Sequence, residues 1–216
     1  LIDTAGLRRK AKVQDKVEGL SATDSYRAIQ YDQIVVLVLD GNLMLEKQDL
    51  TIARQVIEEG RVLMIAVNKW DAVKDRKQAL QDLDDRLQTS LPQVRGIPII
   101  TLSALTGKNT DKLIPAAFKI FEIWNRRIPT GKLNQWLEMM TERHPPPMSS
   151  GRRIRIRYMT QAKTRPPTFV IFSSKGNALP EAYRRFLVNG IREDFDLPGV
   201  PIRVLVRKGN NPYVDS

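Results

Sequence analysis

Three apolar runs, each closed by a polar residue, constrain the fold of the first half of the chain. They read QIVVLVLD, RVLMIAVN and GIPIITLS, and they end at Asp40, Asn68 and Ser103. Each run is rich in Val and Ile and is as short as a strand that is buried on both faces. Amphipathic helical patterns follow the runs, over residues 48–59, 76–91 and 109–126. The alternation predicts an α/β unit in which helices flank a parallel sheet.

The polar ends of the runs predict where a ligand would bind. In an open parallel sheet, ligands bind beyond the carboxyl ends of the strands. An apolar stub at the start of the chain ends at Asp3 in the same way. Four polar side chains are therefore expected at one edge of the sheet: those of Asp3, Asp40, Asn68 and Ser103.

The composition excludes several kinds of site. The chain has no cysteine, which rules out disulfides, zinc–thiolate centres and cysteine nucleophiles. Its single histidine, His144, precedes three prolines, which indicates a loop and argues against a Ser-His-Asp triad or a histidine metal site. No apolar run reaches about 18 residues, so no membrane-spanning helix is expected.

The second part of the chain is a different, basic unit. Residues 127–216 hold 16 Lys and Arg against 7 Asp and Glu, a net charge of +9, whereas residues 1–126 hold 19 against 17, a net of +2. Such a charge favours a polyanionic partner, most simply RNA, although a solvated basic surface would have the same composition. The patterns predict a small α+β domain, ordered α-β-β-α-β, or α-β-β-α-α-β with a break in its later helical region near Gly190, and with helices on one face of a three-stranded sheet.

One predicted strand of this unit, over residues 152–161, alternates apolar and basic residues. Ile154, Ile156 and Tyr158 would share one face of the strand. The opposite face would then carry Arg153, Arg155 and Arg157. This arginine row is either an RNA or ribosome contact or a solvated strand face.

The segment Asn68-Lys69-Trp70-Asp71 has the form Asn-Lys-x-Asp at the end of a strand. A carboxylate at Asp71 can accept hydrogen bonds from N1 and from the exocyclic N2 of guanine, which adenine does not offer. In this interpretation Asn68 braces neighbouring loops and the stem of Lys69 lies over the base. The pattern suggests a guanine site, although it is short enough to occur by chance.

Two further motifs stand at predicted strand ends. Asp3-Thr4-Ala5-Gly6 is an Asp-x-x-Gly whose carboxylate could hold the water shell of a Mg²⁺ ion, and whose glycine would let a backbone N–H approach a terminal phosphate. A plain turn would use the same residues. Ser103-Ala104-Leu105 follows the third run, where a backbone N–H could reach a base carbonyl.

Together and in this order, the three motifs resemble the G3, G4 and G5 elements of a P-loop GTPase. The segments DTAGLRRK, EKQDLTIA, VNKWDAV, SALTGK and KTRPPTFV further resemble the Der (EngA) family of bacterial GTPases, over essentially the whole chain. The resemblance implies that residues 1–126 are the latter part of a G domain and residues 127–216 a KH-like domain. It also implies a cytoplasmic, monomeric protein that hydrolyses GTP and assists assembly of the large ribosomal subunit, with rRNA and ribosomal proteins as its partners.

The same resemblance assigns roles to individual residues. Asp3 would serve Mg²⁺ through water, and Gly6 the γ-phosphate. Asn68, Lys69 and Asp71 would hold the guanine of GTP or GDP. The other residues that it places at the nucleotide are Thr4, Ala5, Leu7, Trp70, Ser103, Ala104 and Leu105.

The resemblance leaves the catalytic group unassigned. Leu7 stands where some GTPases place a water-orienting glutamine, and leucine cannot polarise water. Intrinsic hydrolysis is therefore expected to be slow or to depend on another group, and a K⁺ ion is implied by the family.

Two departures from the family pattern leave alternatives open. The sequence contains no G-x-x-x-x-G-K-[ST], so the phosphate-binding loop and switch I are expected upstream of Leu1, and this chain alone is expected to be inactive. Where a KH domain has a G-x-x-G loop, residues 188–192 have one glycine, Gly190, which argues against ordinary single-strand RNA binding there. The alternatives are an Era-like GTPase, and a non-enzymatic module that binds ribosomes or RNA.

Overall fold

The computed structural model describes residues 33–149, 152–174 and 179–208. They form two compact units, which divide after Phe121. The helices are α1 Lys47–Glu58, α2 Arg76–Ser90, α3 Leu113–Trp124, α4 Thr130–Arg143 and α5 Glu181–Asp194. The strands are β1 Ile34–Asp40, β2 Val62–Asn68, β3 Ile99–Thr101, β4 Met148–Ser149, β5 Arg152–Arg153, β6 Ile156–Lys163, β7 Thr168–Ser173 and β8 Arg203–Lys208. None of the helices in these ranges is both long and apolar enough to cross a membrane.

The first unit contains a parallel sheet in the order β1-β2-β3, as the apolar runs predict. In β2, Val62 to Val67 are all buried, which explains why this run shows no polar alternation. One face of the sheet forms a core with α1 and α2, to which Leu39, Ile65 and Leu83 contribute. In this register Asp40 at the end of β1 pairs with Asn68 at the end of β2.

Local side chains determine where the first two helices begin. Before α1, the Glu46 backbone N–H donates to the Asp49 carboxylate at 2.9 Å, and the Glu46 side chain accepts from the N–H at the third helical position. Such a capping box satisfies N–H groups that have no partner within the helix. Before α2, Asp75 accepts from the Gln78 N–H at 3.0 Å. These caps fix the loops that leave the ends of β1 and β2.

The second unit contains a three-stranded sheet in the order β6-β7-β8. Helix α4 precedes the sheet in the chain, and helix α5 lies between β7 and β8. Strand β6 is antiparallel to β7, and β8 is parallel to β7. Asn134 of α4 binds the backbone of Met159 on both sides, because its Nδ2 donates to the carbonyl at 3.0 Å and its Oδ1 accepts from the N–H at 2.8 Å. The buried face of the sheet includes Met159, Phe169 and Ile171.

The predicted strand over 152–161 is not continuous, which corrects the predicted side-chain alternation. Arg152–Arg153 pairs with Met148–Ser149 in a short separate hairpin, and β6 begins only at Ile156. Ile156 pairs with Ser173 and Tyr158 with Phe172, so Arg157 is an extra residue in the ladder. Such a bulge reverses the alternation of side chains beyond it. Tyr158 is therefore 44% exposed, and it does not share a buried face with Ile154.

The predicted break near Gly190 is also wrong, because α5 is unbroken from Glu181 to Asp194. A Cβ atom at Gly190 would lie 2.9 Å from Trp136 Cζ2 and 3.0 Å from Met140 Cε. The glycine therefore allows α5 to approach α4 closely. Residues 195–202 contain no helix, so α5 is the one helix among the described residues between β7 and β8, and residues 188–192 form no loop.

Candidate functional site

The ends of β1 and β2 are joined directly by their backbones. The Gly41 N–H donates to the Asn68 carbonyl at 2.8 Å. A Cβ atom at Gly41 would lie only 2.6 Å from Val73 Cγ2 and 3.1 Å from the Asn68 carbonyl oxygen. Glycine is needed here because the two backbone segments approach each other more closely than a side chain allows. The polar residues at these ends are thereby held at a fixed separation.

Asn68 ties the end of β2 to the loop that follows β3. Its Oδ1 accepts a hydrogen bond from the Lys69 N–H at 2.7 Å and another from the Ala104 N–H at 2.9 Å. The structure therefore places the predicted residues Asn68 and Ala104 in contact, 36 residues apart in sequence. The Ala104 N–H is already engaged, so it is not available to a ligand.

Lys69 adopts a left-handed backbone conformation, with φ of 57°. A residue with a side chain visits this region at some cost, which the neighbouring contacts must offset. The hydrogen bond to Asn68 Oδ1 is one such contact. The other is an ion pair in which Lys69 Nζ donates to Asp40 Oδ2 at 2.8 Å. The pair anchors the tip of a lysine that is otherwise exposed.

Asp40 is a site residue to which the sequence patterns assigned no role. Its Oδ2 accepts from Lys69, while its Oδ1 accepts from the Asn42 N–H at 3.0 Å. The Asp40 side chain is only 17% exposed, compared with 64% for that of Lys69. Its position at a strand end identified the correct edge of the sheet, but nothing local indicated a partner 29 residues away.

Trp70 and Asp71 lie in a short 3-10 turn, Trp70–Ala72, and face different environments. The Trp70 side chain is buried in the core, and the Trp70 backbone N–H donates to the Leu102 carbonyl at 3.1 Å. Asp71 is exposed, and within the described ranges its carboxylate has no hydrogen-bond or ion-pair partner. The buried tryptophan thus anchors the turn, and the carboxylate next to it keeps its acceptor atoms available.

The loop after β3 is closed by its own hydrogen bonds. Buried Ser103 accepts at Oγ from the Thr106 N–H at 3.2 Å, and its own N–H donates to the Lys108 carbonyl at 3.0 Å. Leu105, at the tip, is 87% exposed. Ser103 therefore shapes the loop from inside, and the Leu105 backbone is left at the surface.

A cavity of about 370 Å³ lies between the Asp71 turn and this loop. Its size is within the range of small-molecule sites. Asp71, Arg76, Ser103 and Lys108 are among the residues that line it, together with Trp70 and Leu102. The cavity therefore combines one carboxylate with two basic residues, polar residues and two apolar ones, a lining that can bind a polar ligand.

The remaining predicted site residues are placed less completely. The five residues Asp3, Thr4, Ala5, Gly6 and Leu7 lie outside the described residues. Across the ranges that the structure describes, no group of three or more Asp, Glu or His side chains is arranged to hold a metal ion. Arg155 and Arg157 are exposed, while Arg153 belongs to the separate hairpin and its side chain is not described.

Comparison with known families divides the chain into two matches. Residues 22–123 match the elongation factor Tu GTP-binding domain. Residues 127–207 match the KH-domain-like, C-terminal domain of EngA bacterial GTPase enzymes. The chain thus combines a partial G domain, with a parallel sheet and flanking helices, and a small α+β KH-like domain.

Curated relatives resemble the chain along its entire length. It is 52% identical over 215 residues to a protein named GTPase Der from Parvibaculum lavamentivorans, covering 100% of this chain and 46% of that protein. It is 54% identical over 215 residues to GTPase Der of a Jannaschia species, covering 99% and 45%. The chain therefore spans about half the length of these relatives.

Among solved structures, a variant of Aquifex aeolicus Era bound to GDP·AlF4⁻ aligns with 97% of this chain and 76% of its own, at 15% identity and a TM-score of 0.46. A probable GTP-binding protein engB aligns with 53% of this chain and 72% of its own, at 19% identity and a TM-score of 0.43. Both likenesses are too weak to support an inference about this chain.

Proposed function

The chain belongs to the Der (EngA) family of GTPases, and we propose that its first unit forms the guanine-binding part of a domain that hydrolyses GTP. The observation that carries this proposal is the Asp71 carboxylate, exposed at the cavity beside a buried Trp70. Two N–H groups on one edge of guanine match the two oxygens of a carboxylate. Adenine presents no such pair, so Asp71 would select the base.

The other residues of the site would support that base. Asn68 holds the loop after β3 against the end of β2, and the stem of Lys69, whose tip is anchored to Asp40, would lie over the base. Since the Ala104 N–H already donates to Asn68, the next N–H, that of Leu105, is the better candidate for the guanine carbonyl. Ser103 and Ala104 would act by shaping the loop, and Trp70 by fixing the turn.

The phosphate end of the nucleotide would be served by residues outside the described ranges. We propose that Asp3 holds the water shell of Mg²⁺, and that Gly6, with Thr4, Ala5 and Leu7, lies against the γ-phosphate. When bound, Mg²⁺ would neutralise charge that develops on the phosphates during transfer. A K⁺ ion, implied by the family, is proposed for the same purpose, and no residue is assigned to it.

The second unit is proposed to bring the G domain to the ribosome. We propose that residues 1–126 are the latter part of a G domain and residues 127–216 a KH-like domain that binds the large ribosomal subunit, through its rRNA and proteins, in the bacterial cytoplasm. The net charge of +9 in residues 127–216 supports a polyanionic partner. The exposed Arg155 and Arg157 are candidate contacts, and Arg153 remains one by sequence alone.

An amide at position 71 tests the base assignment. In the complete protein, Asp71→Asn should lower affinity for GDP and raise affinity for xanthosine diphosphate, because the amide can donate to the second carbonyl of xanthine. Competition calorimetry with both nucleotides measures the switch, and Asp85→Asn, at an exposed position on α2, is the matched control. An unchanged preference for guanine in Asp71→Asn would refute the assigned role.

A second candidate function is supported by the charge alone, namely a non-enzymatic module that binds ribosomes. It predicts that this 216-residue chain sediments with large ribosomal subunits without nucleotide, and that added salt releases it. Absence of association at low salt would eliminate this candidate.

A further inference from the structure

One face of the β6-β7-β8 sheet carries exposed side chains on its two edge strands, whereas on its central strand Thr168 and Val170 are buried. We call it the outer sheet face and define it by Tyr158, Phe172, Arg203, Leu205 and Arg207. Residues that alternate with these along the strands, such as Met159 and Ile171, are buried on the other face. Tyr158 on β6 is 44% exposed and Leu205 on β8 is 46% exposed, so an aromatic and an apolar side chain are open to solvent on this face. Exposed patches of this kind usually mark binding surfaces.

An aromatic pair stands at one end of this face, beside Arg207. Tyr158 and Phe172 are cross-strand partners, and their rings stack with centroids 4.3 Å apart and planes 13° from parallel. The bulge at Arg157 puts Tyr158 here, because a regular ladder would have turned it to the buried face. Each ring is held against the other, so a planar group could stack on the tyrosine without the side chain first having to be ordered.

The charged residues of the three strands all have one sign. Strands β6, β7 and β8 contain no Asp or Glu. Their basic residues are Arg157, Lys163, Arg203, Arg207 and Lys208. On β8, the exposed residues Arg203, Leu205 and Arg207 alternate with the half-buried Val204 and Val206. A protein partner of ordinary mixed charge would meet repulsion across this surface, whereas a polyanion would not.

We propose that the outer sheet face binds single-stranded RNA, with unstacked bases on the Tyr158–Phe172 pair and phosphates near Arg203 and Arg207. Aromatic platforms combined with basic side chains are how sheets bind single strands, because every base has a π-face and every linkage a charge. A duplex keeps its bases stacked inside and would leave the aromatic pair without a partner. This inference rests on the proposed function, in that the KH-like unit is taken to meet ribosomal RNA.

The continuous helix α5 supports this placement. Residues 188–192, where a G-x-x-G loop would clamp the RNA backbone, are helical. Gly190 packs closely against Trp136 and Met140. A single strand therefore cannot use that loop in this chain. The sheet offers the aromatic and basic groups that the loop lacks.

Fluorescence anisotropy of the 216-residue chain tests the proposal with a labelled single-stranded RNA of about ten nucleotides and with the same strand annealed to its complement. Tyr158→Leu keeps the apolar area but removes the stacking ring, and it should weaken single-strand binding about five- to a hundredfold. Arg207→Gln should weaken binding and reduce the slope of log affinity against log salt by about one. The controls Arg185→Gln, on the helical layer, and Phe118→Leu, in the first unit, should bind as the parent does.

The possible outcomes separate this proposal from the proposed function. Equal binding of single and double strands, with Tyr158→Leu unaffected, would overturn the outer-face proposal while an RNA partner remained. Suppose that neither the parent chain nor any variant bound RNA, but that the parent sedimented with ribosomal particles and Tyr158→Leu did not. The face would then bind a protein, and the proposal would again be wrong. The Asp71→Asn experiment measures nucleotide preference and not RNA binding, so it tests the nucleotide assignment independently of the outer sheet face.

Discussion

The side-chain oxygen of Asn68 lies 2.9 Å from the backbone nitrogen of Ala104, and this one contact couples two loops of the candidate site. The same oxygen also accepts from the Lys69 N–H. The asparagine is therefore a brace between strand ends, and it holds the loop after β3 beside the cavity without having to touch a ligand itself.

Removing this brace should loosen the loop. Asn68→Ala should lower the free energy of unfolding of the 216-residue chain by about 1 kcal/mol, since water can reach the two N–H groups that lose their acceptor. Asn68→Asp keeps the oxygen and should recover most of the loss at high salt, which screens the nearby Asp40. Urea denaturation measures both, and equal losses in the two variants would contradict the brace.

Releasing Lys69 from Asp40 should affect ligand binding more than folding. Asp40→Asn removes the charge that anchors Lys69 Nζ. A partly exposed ion pair contributes up to about 1 kcal/mol, so affinity for guanine nucleotides in the complete protein should fall about two- to fivefold. Calorimetry gives the affinity, with Asp85→Asn as the control. A drop in Asp85→Asn of the same size would show that general charge, and not the anchor, is responsible.

Two glycines of the second unit make a matched pair. Gly190→Ala puts a methyl group against Trp136 and Met140, and should cost about 1–3 kcal/mol of stability because the helices must separate. Gly131→Ala meets nothing within 4 Å, and should leave stability unchanged or raise it by up to about 1 kcal/mol through helix propensity. Thermal unfolding compares the two. A stabilised Gly190→Ala would mean that the helix contact is not close.

Burial raises the pKa of Tyr183 to about 12, from its ordinary value of 10.0. Its hydroxyl donates to the His144 carbonyl at 2.6 Å, which it can do only while protonated. Because the folded pKa lies above the unfolded one, the stabilisation is complete below pH 10 and is lost as the pH rises towards 12. Between these limits, the free energy of unfolding should fall more steeply in the parent chain than in Tyr183→Phe. Parallel slopes in denaturation measured across this range would contradict the assignment.

The strands of the first unit were predictable because their residues are apolar without interruption, and few structures other than a doubly covered sheet bury such runs. The positions of Asn68 and Ser103 at or just after strand ends were predictable for the same reason, and Asp71 was predicted from the Asn-Lys-x-Asp pattern that begins at Asn68. The ion pair between Asp40 and Lys69 was not predictable, because it joins two strand ends that are adjacent only in the folded sheet.

The second unit was predicted less well where local patterns conflict with packing. Alternation along 152–161 assumed a regular ladder, and a bulge leaves no mark in an alternating sequence. The break at Gly190 assumed that glycine weakens a helix, which holds when nothing else compensates. Here Trp136 lies where a side chain would have been, and the close contact between two helices outweighs the local cost.

The pairing of Asp40 with Asn68 in the β1–β2 register has a consequence for how the protein matures. A slip of one residue would turn Leu37 and Leu39 away from the core, and would separate the two polar ends in the same movement. A chain with the slipped register would therefore lose the core contacts of β1 and the pairing of Asp40 with Asn68 together. A nucleotide that recognises this edge would bind only molecules whose strands are correctly paired, and it would shift the folding equilibrium towards them. The nucleotide would in this way stabilise the correctly paired fold as well as being its ligand.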